Sequence, residues 1–269
     1  MLDQSFSNTN FNKIFLEDNR KGKFIKSYFT QEYLDKHEKF KNTLREKKEL
    51  KRKNGLLTKD ELDYFADELD KINKEKEEIR LNTFKKFGEK ISEKKFQFKV
   101  YYYPEKKVYT IEKDAPSYYA VKQLQININK TFKVKQANRN LIIKQLFHIL
   151  SDGYPKILIK TDIKSFYESI PQDRLFAKIE DNTLLSPFSK KLIRKLFYEY
   201  ERKKDTTMIP PKKGIPRGIG VSAYLSELYM RDIDNEMKCL DDVIFFARYV
   251  DDIIVIFSPK SSPQNKIGF

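Results

Sequence analysis

Three carboxylates stand where strand-forming stretches would not ordinarily carry them. In "RYVDDIIVIF", residues 248–257, Asp251 and Asp252 separate a tyrosine–valine pair from a β-branched run. In "KILIKTDIKSFYESIP", Asp162 ends an apolar stretch and precedes the aromatic pair Phe166 and Tyr167, 89 residues before Asp251. Adjacent aspartates also occur in ordinary turns that do nothing. If the two strands lie side by side, however, Asp162 and Asp251 converge on one spot. Such carboxylates repel at neutral pH, and hard divalent cations with oxygen ligands are the usual remedy. A pair of metal ions about 3.5–4 Å apart can activate an attacking 3′-hydroxyl and stabilise a leaving pyrophosphate. That chemistry is nucleotidyl transfer.

A second feature lies between the acids. Only eight glycines exist in the chain, and Gly214, Gly218 and Gly220 fall within "KKGIPRGIGVSAYLSEL". Glycine lets a ligand or a base pair approach the main chain, and a helix is expected immediately afterwards. The stretch matches neither the Walker nor the dinucleotide fingerprint, because the spacing and the Lys-Ser/Thr ending are missing.

The elements that must position these residues can be read from periodicity. Residues 1–95 are rich in Lys, Glu, Asp and Leu, with a break at "KNGLLTKDEL", which predicts two amphipathic helices and makes Thr58 and Glu61 a capping box. "FQFKVYYYPEKKVYTIEKD" predicts a β-hairpin, and the alternation in "LQININKTFKVK" a further strand. "NRNLIIKQLFHILSD", "PFSKKLIRKLFYEYERKK" and "SAYLSELYMRDIDNEM" have helical periods, and "KILIKTDI" is a short strand. "VIFFARYVDDIIVIF" predicts strand, turn and strand, with "YVDD" as a four-residue loop. The fold class expected is α+β.

Composition adds a polyanionic partner. The net charge is +15 over 269 residues, and residues 96–150 carry 10 Lys and Arg against 3 Asp and Glu, the most basic segment for its length. A nucleic-acid contact there would be phosphate-directed and weakened by salt, although a merely solvated lysine-rich face has the same composition. Cys239 is the only cysteine, which excludes a disulfide framework and a cysteine-rich zinc site. No segment approaches the roughly 18 apolar residues that span a bilayer, so no membrane partner and a cytoplasmic location are expected.

The three stretches together resemble the reverse transcriptases of bacteria, including the retron, group II intron and abortive-infection, phage-defence branches. "TDIKSFYESI" resembles the first palm motif of that family, "KGIPRGIGVSAYLSELYM" the second and "ARYVDDIIVIF" the third, in the family's order, over about residues 115–257. The resemblance implies a right-hand fold with fingers and an antiparallel palm sheet flanked by helices. It divides the chain into a helical N-terminal extension (1–95), a fingers-like region (96–150), the palm (151–257) and a tail (258–269) expected to be disordered or truncated. It also implies RNA-templated DNA synthesis from deoxynucleoside triphosphates, a DNA or protein primer, and two Mg²⁺ ions, with Mn²⁺ as a substitute.

Carried over by position, Asp162 and Asp251 would be the principal metal ligands and Asp252 the supporting carboxylate, with the Ile163 carbonyl also facing a metal. Tyr167 would be the steric gate that crowds a ribose 2′-hydroxyl, or else a tyrosine packed in the palm. Lys133, Lys135 and Arg139 match the region that grips the triphosphate. Gly214 and Gly218 would lie against the nascent base pair and Tyr249 would abut the primer end.

Two departures stand out. Arg217 replaces the glutamine that many relatives carry before the second-motif glycine, adding charge near nucleotide or template and pointing to the defence-associated branch. After Asp252 only 17 residues remain, so a thumb would have to come from a second polypeptide, or the chain is a truncated or split product. Against an antiviral RNA-directed DNA polymerase stand two other readings. One is a non-catalytic nucleic-acid-binding remnant. The other, an RNA-dependent RNA polymerase, is disfavoured by the gate expected at Tyr167.

Overall fold

A computed structural model describes residues 2–207 and 209–258, which divide into two compact units. The first comprises residues 5–96 and 113–123 and is helical. It contains α1 (Asn8–Arg20), α2 (Gln31–Asn54) and α3 (Lys59–Ser92). The expected capping box opens α3: the Glu61 amide donates to Thr58 Oγ1 at 3.3 Å and the Thr58 amide to Glu61 Oε2 at 2.8 Å. Helix α1, which the sequence reading did not anticipate, starts at a Ser7 cap. It is held by aromatic packing: Phe11 and Phe84 both meet Tyr119, with ring centroids 5.3 and 5.0 Å apart. Two buried cations, Lys76 and Arg80, lie over the Phe40 and Phe15 rings. Cation–π contact retains part of the attraction a charge loses when taken from water.

The second unit comprises residues 2–4, 97–112 and 124–258 of the described chain. It opens with the expected hairpin, β1 (Val100–Tyr103) paired antiparallel with β2 (Val108–Ile111). The strand expected over "LQININKTFKVK" is not formed. Residues 124–132 instead complete α4 (Ala115–Phe132), whose later part belongs to this unit, and 133–135 follow it outside any helix or strand. The reason is that Asn127 is fully buried and donates to the Gln4 carbonyl (3.0 Å) and Ser189 Oγ (2.9 Å). With this amide satisfied inside, the buried positions are Leu124, Asn127 and Ile128, a helical spacing that a count of apolar residues alone misses.

The remaining elements are α5 (Arg139–Leu150), β3 (Ile157–Asp162), α6 (Phe166–Ser169), α7 (Gln172–Asp181), α8 (Pro187–Lys203), α9 (Gly220–Lys238), β4 (Val243–Tyr249) and β5 (Asp252–Phe257). The order is helices first and then mixed helix and sheet, an α+β arrangement. The last three strands form one antiparallel sheet in the order β3-β5-β4, so the central strand comes last in sequence. Val255 and Ile256 of β5 are accordingly buried. Helices α7, α8 and α9 bury Leu175, Ile179, Leu196, Phe197, Leu225 and Leu228, each worth roughly 1.5–3 kcal/mol against exposure. The tail expected from residue 258 lies outside the described residues, except for Ser258, whose amide donates to the Asp242 carbonyl at 2.9 Å.

Candidate active site

The register of the sheet decides which acids meet. Asp162 pairs with Asp252 across β3 and β5, and Asp252 pairs with Tyr249 across β5 and β4. The loop between β4 and β5 is therefore two residues, Val250 and Asp251, and not the four-residue "YVDD" expected. The Ile163 amide donates to the Asp251 carbonyl at 3.1 Å. Such a bond, one residue beyond the Asp162–Asp252 pair on each strand, marks that pair as non-hydrogen-bonded, where Cα atoms approach to about 4.5 Å and side chains share one face. Asp162 thus stands opposite Asp252, with Asp251 at the turn beside them. Asp162 and Asp252 are exposed and, among the described residues, neither takes part in an ion pair.

Alternation along the strands separates two faces. Ile159, Thr161, Ile253 and Val255 line an apolar groove of about 420 Å³ together with Tyr229 and Ile233 of α9. Asp162, Asp252 and Tyr249 occupy the other face because side chains alternate with a period of two. A slip of one residue would exchange these faces and carry the acids to the groove side.

The glycine loop is placed by a buried lysine. Lys204, whose side chain is fully buried, donates to Glu201 Oε1 at 2.6 Å and to the carbonyls of Pro210 and Lys213 at 2.8 and 3.0 Å. Gln172 Nε2 joins Glu201 Oε1 (2.6 Å) to the Gly214 carbonyl (2.8 Å). Gly214 has φ +82°, and a Cβ there would lie 2.8 Å from the Tyr200 hydroxyl. Gly218 has φ +98°, and a Cβ there would lie 2.7 Å from the Tyr109 carbonyl. The Tyr109 amide donates to the Arg217 carbonyl at 2.7 Å, so the loop lies directly on β2. The space that these glycines leave is taken by the protein's own backbone and side chains. The Arg217 side chain is exposed.

Tyr167 is where the three sequence stretches meet. Ser226 of α9 is its polar neighbour, and Glu227, Asp251 and Arg217 are its charged ones. Burial pushes the phenol pKa up, Ser226 and Arg217 oppose the shift, and Glu227 and Asp251 add to it. The ring meets Phe166 edge-on with centroids 5.2 Å apart.

Lys133 and Lys135 line a cleft of about 160 Å³ with Glu227, Arg231, Asp234 and Lys238. Arg139 opens α5 and is exposed. Sequence reasoning missed Arg248, which is buried and paired with Glu227 at 2.6 Å and Asp234 at 2.8 Å. The available signal was an arginine inside a strand, together with two acids seven residues apart on one helix, which places them on the same face.

The donor set suits a hard cation. Mg²⁺ is usually held by one or two carboxylates together with substrate phosphates, and two facing carboxylates without an ion pair supply such a set. Among the described residues no cluster of three or more His, Cys, Asp or Glu side chains is arranged to hold a metal ion. Among the same residues no helix is long and apolar enough to cross a membrane.

Comparison with known proteins agrees with the motif pattern. No curated protein sequence matches the chain. The sequence profile of the family described as reverse transcriptase (RNA-dependent DNA polymerase) matches residues 119–267, more than half of the chain, and that span contains Asp162, the glycine loop and the Val250–Asp251 turn. The chain belongs to the reverse transcriptase family.

Proposed function

We propose that the chain is an RNA-directed DNA polymerase that transfers deoxynucleotides by a two-metal mechanism, with the sheet β3-β5-β4 as the floor of its palm. The observation that carries this reading is the pairing of Asp162 with Asp252, with Asp251 in the adjoining turn. Bound there, Mg²⁺ would lower the pKa of a primer 3′-hydroxyl and offset charge on the triphosphate and the departing pyrophosphate. Asp162, Asp251 and Asp252 would hold it, with the Ile163 carbonyl as a further oxygen ligand. Tyr249, on the same face, would meet the primer end. The Tyr167 ring would lie under the sugar of the incoming nucleotide, where its bulk disfavours a 2′-hydroxyl.

Arg217, exposed on the loop beside Tyr167, would meet nucleotide or template, and its presence supports placing the chain in the bacterial defence branch. Lys133, Lys135 and Arg139 would meet phosphates of the triphosphate or the nucleic acid, alone or beside a second polypeptide that completes the hand. Gly214 and Gly218 would fix the loop that faces the template–primer.

Primer extension on poly(rA)/oligo(dT) with Mg²⁺ tests the reading. Incorporation of dTTP in preference to UTP is expected. Preference for UTP would make the chain an RNA polymerase. Nucleic-acid binding without incorporation would make it a binding protein.

A further inference from the structure

We infer that Arg248 is a positioning residue that holds the Val250–Asp251 turn in register with Asp162 by hydrogen-bonding the Val250 carbonyl from inside the sheet–helix interface. Its consequence for activity rests on the polymerase reading; its consequence for structure rests on the contacts alone.

Arg248 lies on the face of β4 that meets α9, and its side chain is 3% exposed. Nε donates to Asp234 Oδ1 at 2.9 Å and Nη2 to Asp234 Oδ2 at 2.8 Å. Nη2 and Nη1 donate to the two oxygens of Glu227 at 2.6 and 3.1 Å. Nη1 also donates to the Val250 carbonyl at 2.9 Å. Together these contacts engage all five N–H donors of a guanidinium. The group also lies over the Phe166 ring, 6.0 Å from its centroid, so one side chain bonds the helix of the second motif and the turn of the third and faces an aromatic residue of the first.

The turn needs such a tie. Val250 is β-branched and has φ 60°, a conformation that residues of this kind rarely adopt. Strained residues persist only where their surroundings over-determine them. Val250 is held from the helix side through Arg248, and Asp251 from the strand side through the Ile163 amide. Fold stability alone does not account for the cluster, because replacing a buried ion group wholesale by neutral residues of similar volume is often neutral or stabilising. What Arg248 adds is the contact to the Val250 carbonyl. A lysine, a point charge on a flexible stem, cannot reproduce a planar fork with three partners.

The test compares the full-length protein with the triple variant Glu227→Gln, Asp234→Asn, Arg248→Met, which leaves no buried charge unpaired. Amide hydrogen exchange is read at Ile163, whose N–H reports the Asp251 contact, against Ile159 and Val255 in the same ladder. Exchange at Ile163 at least tenfold faster, with the other two unchanged, is expected. A tenfold or greater fall in dTTP incorporation, partly recovered by raising Mg²⁺, is expected alongside it. Unchanged Ile163 exchange in a folded triple variant overturns the inference. If the triple variant does not fold, Arg248→Lys carries the same comparison, with the same two outcomes. If the unsubstituted protein incorporates nothing, the polymerase reading fails while the exchange comparison still decides the role of Arg248.

Discussion

Asp162 faces Asp252 across a non-hydrogen-bonded position of the β3–β5 ladder, and among the described residues neither is in an ion pair. Like charges at directly opposed positions destabilise a sheet, by about 0.2–1 kcal/mol. A pair arranged this way is at odds with stability unless a cation or a substrate joins it. The relationship gives the acids a measurable signature apart from turnover.

Asp252→Asn should stabilise the metal-free protein. In EDTA the melting temperature is expected to rise, by up to about 4 °C for a change of at most ~1 kcal/mol in a chain of this size. Added Mg²⁺ should raise the melting temperature of the unsubstituted protein more than that of the variant, because a ligand that binds only the folded state stabilises by mass action. Scanning calorimetry with and without Mg²⁺ checks both. A lower melting temperature for the variant in EDTA would show that Asp252 makes a stabilising contact.

Tyr167→Ala should relax sugar discrimination, whereas Tyr167→Phe should preserve it. The alanine variant removes the ring; the phenylalanine variant removes only the hydroxyl beside Ser226. The ratio of dTTP to UTP incorporation should fall at least tenfold for alanine and stay within about threefold for phenylalanine, taking a steric clash as worth about 1.4 kcal/mol or more. Equal ratios in all three proteins would assign the ring to packing.

Gly218→Ala should be far more costly than Gly153→Ala. Both glycines have positive φ, but a Cβ at Gly153 meets nothing within 4 Å, while one at Gly218 would lie 2.7 Å from the Tyr109 carbonyl. Both pay the backbone term of roughly 1–3 kcal/mol. Gly218→Ala also weakens the Tyr109–Arg217 backbone hydrogen bond, worth about 0.5–1.5 kcal/mol. Urea denaturation of the two variants isolates the close approach. Equal losses would mean that β2 moves aside.

His37 should make the helical unit acid-sensitive. Burial first, then the positive charges of Lys76 and Lys41, hold its pKa below the ordinary 6.5. Between that lowered value and 6.5 the unfolded chain binds more protons than the folded one, so stability rises with pH there. The contribution is complete above 6.5 and is lost as pH falls toward the folded value. His37→Phe, which keeps the ring beside Tyr33 and Phe24, should flatten the loss of urea midpoint between pH 7.5 and pH 5. An unchanged slope would show that another group titrates.

The amino-acid sequence by itself determined the local elements and the kinds of chemistry on them. The Thr58–Glu61 box, the strand ending in Asp162 and the turn at Asp251 all follow from neighbours within a few residues, where side-chain type and period suffice. The alternation in residues 124–135 misled because buried Asn127 counts as polar in a pattern although its hydrogen bonds are met inside. Only the tertiary structure decided that Asp252 is the cross-strand neighbour of Asp162, that Gly218 lies on β2, and that the Arg248 side chain joins the turn to α9. These are contacts between residues far apart in the chain or facing one another across a sheet. Which residues meet there is a property of the assembled sheet and its packing against helices, and not of any single segment.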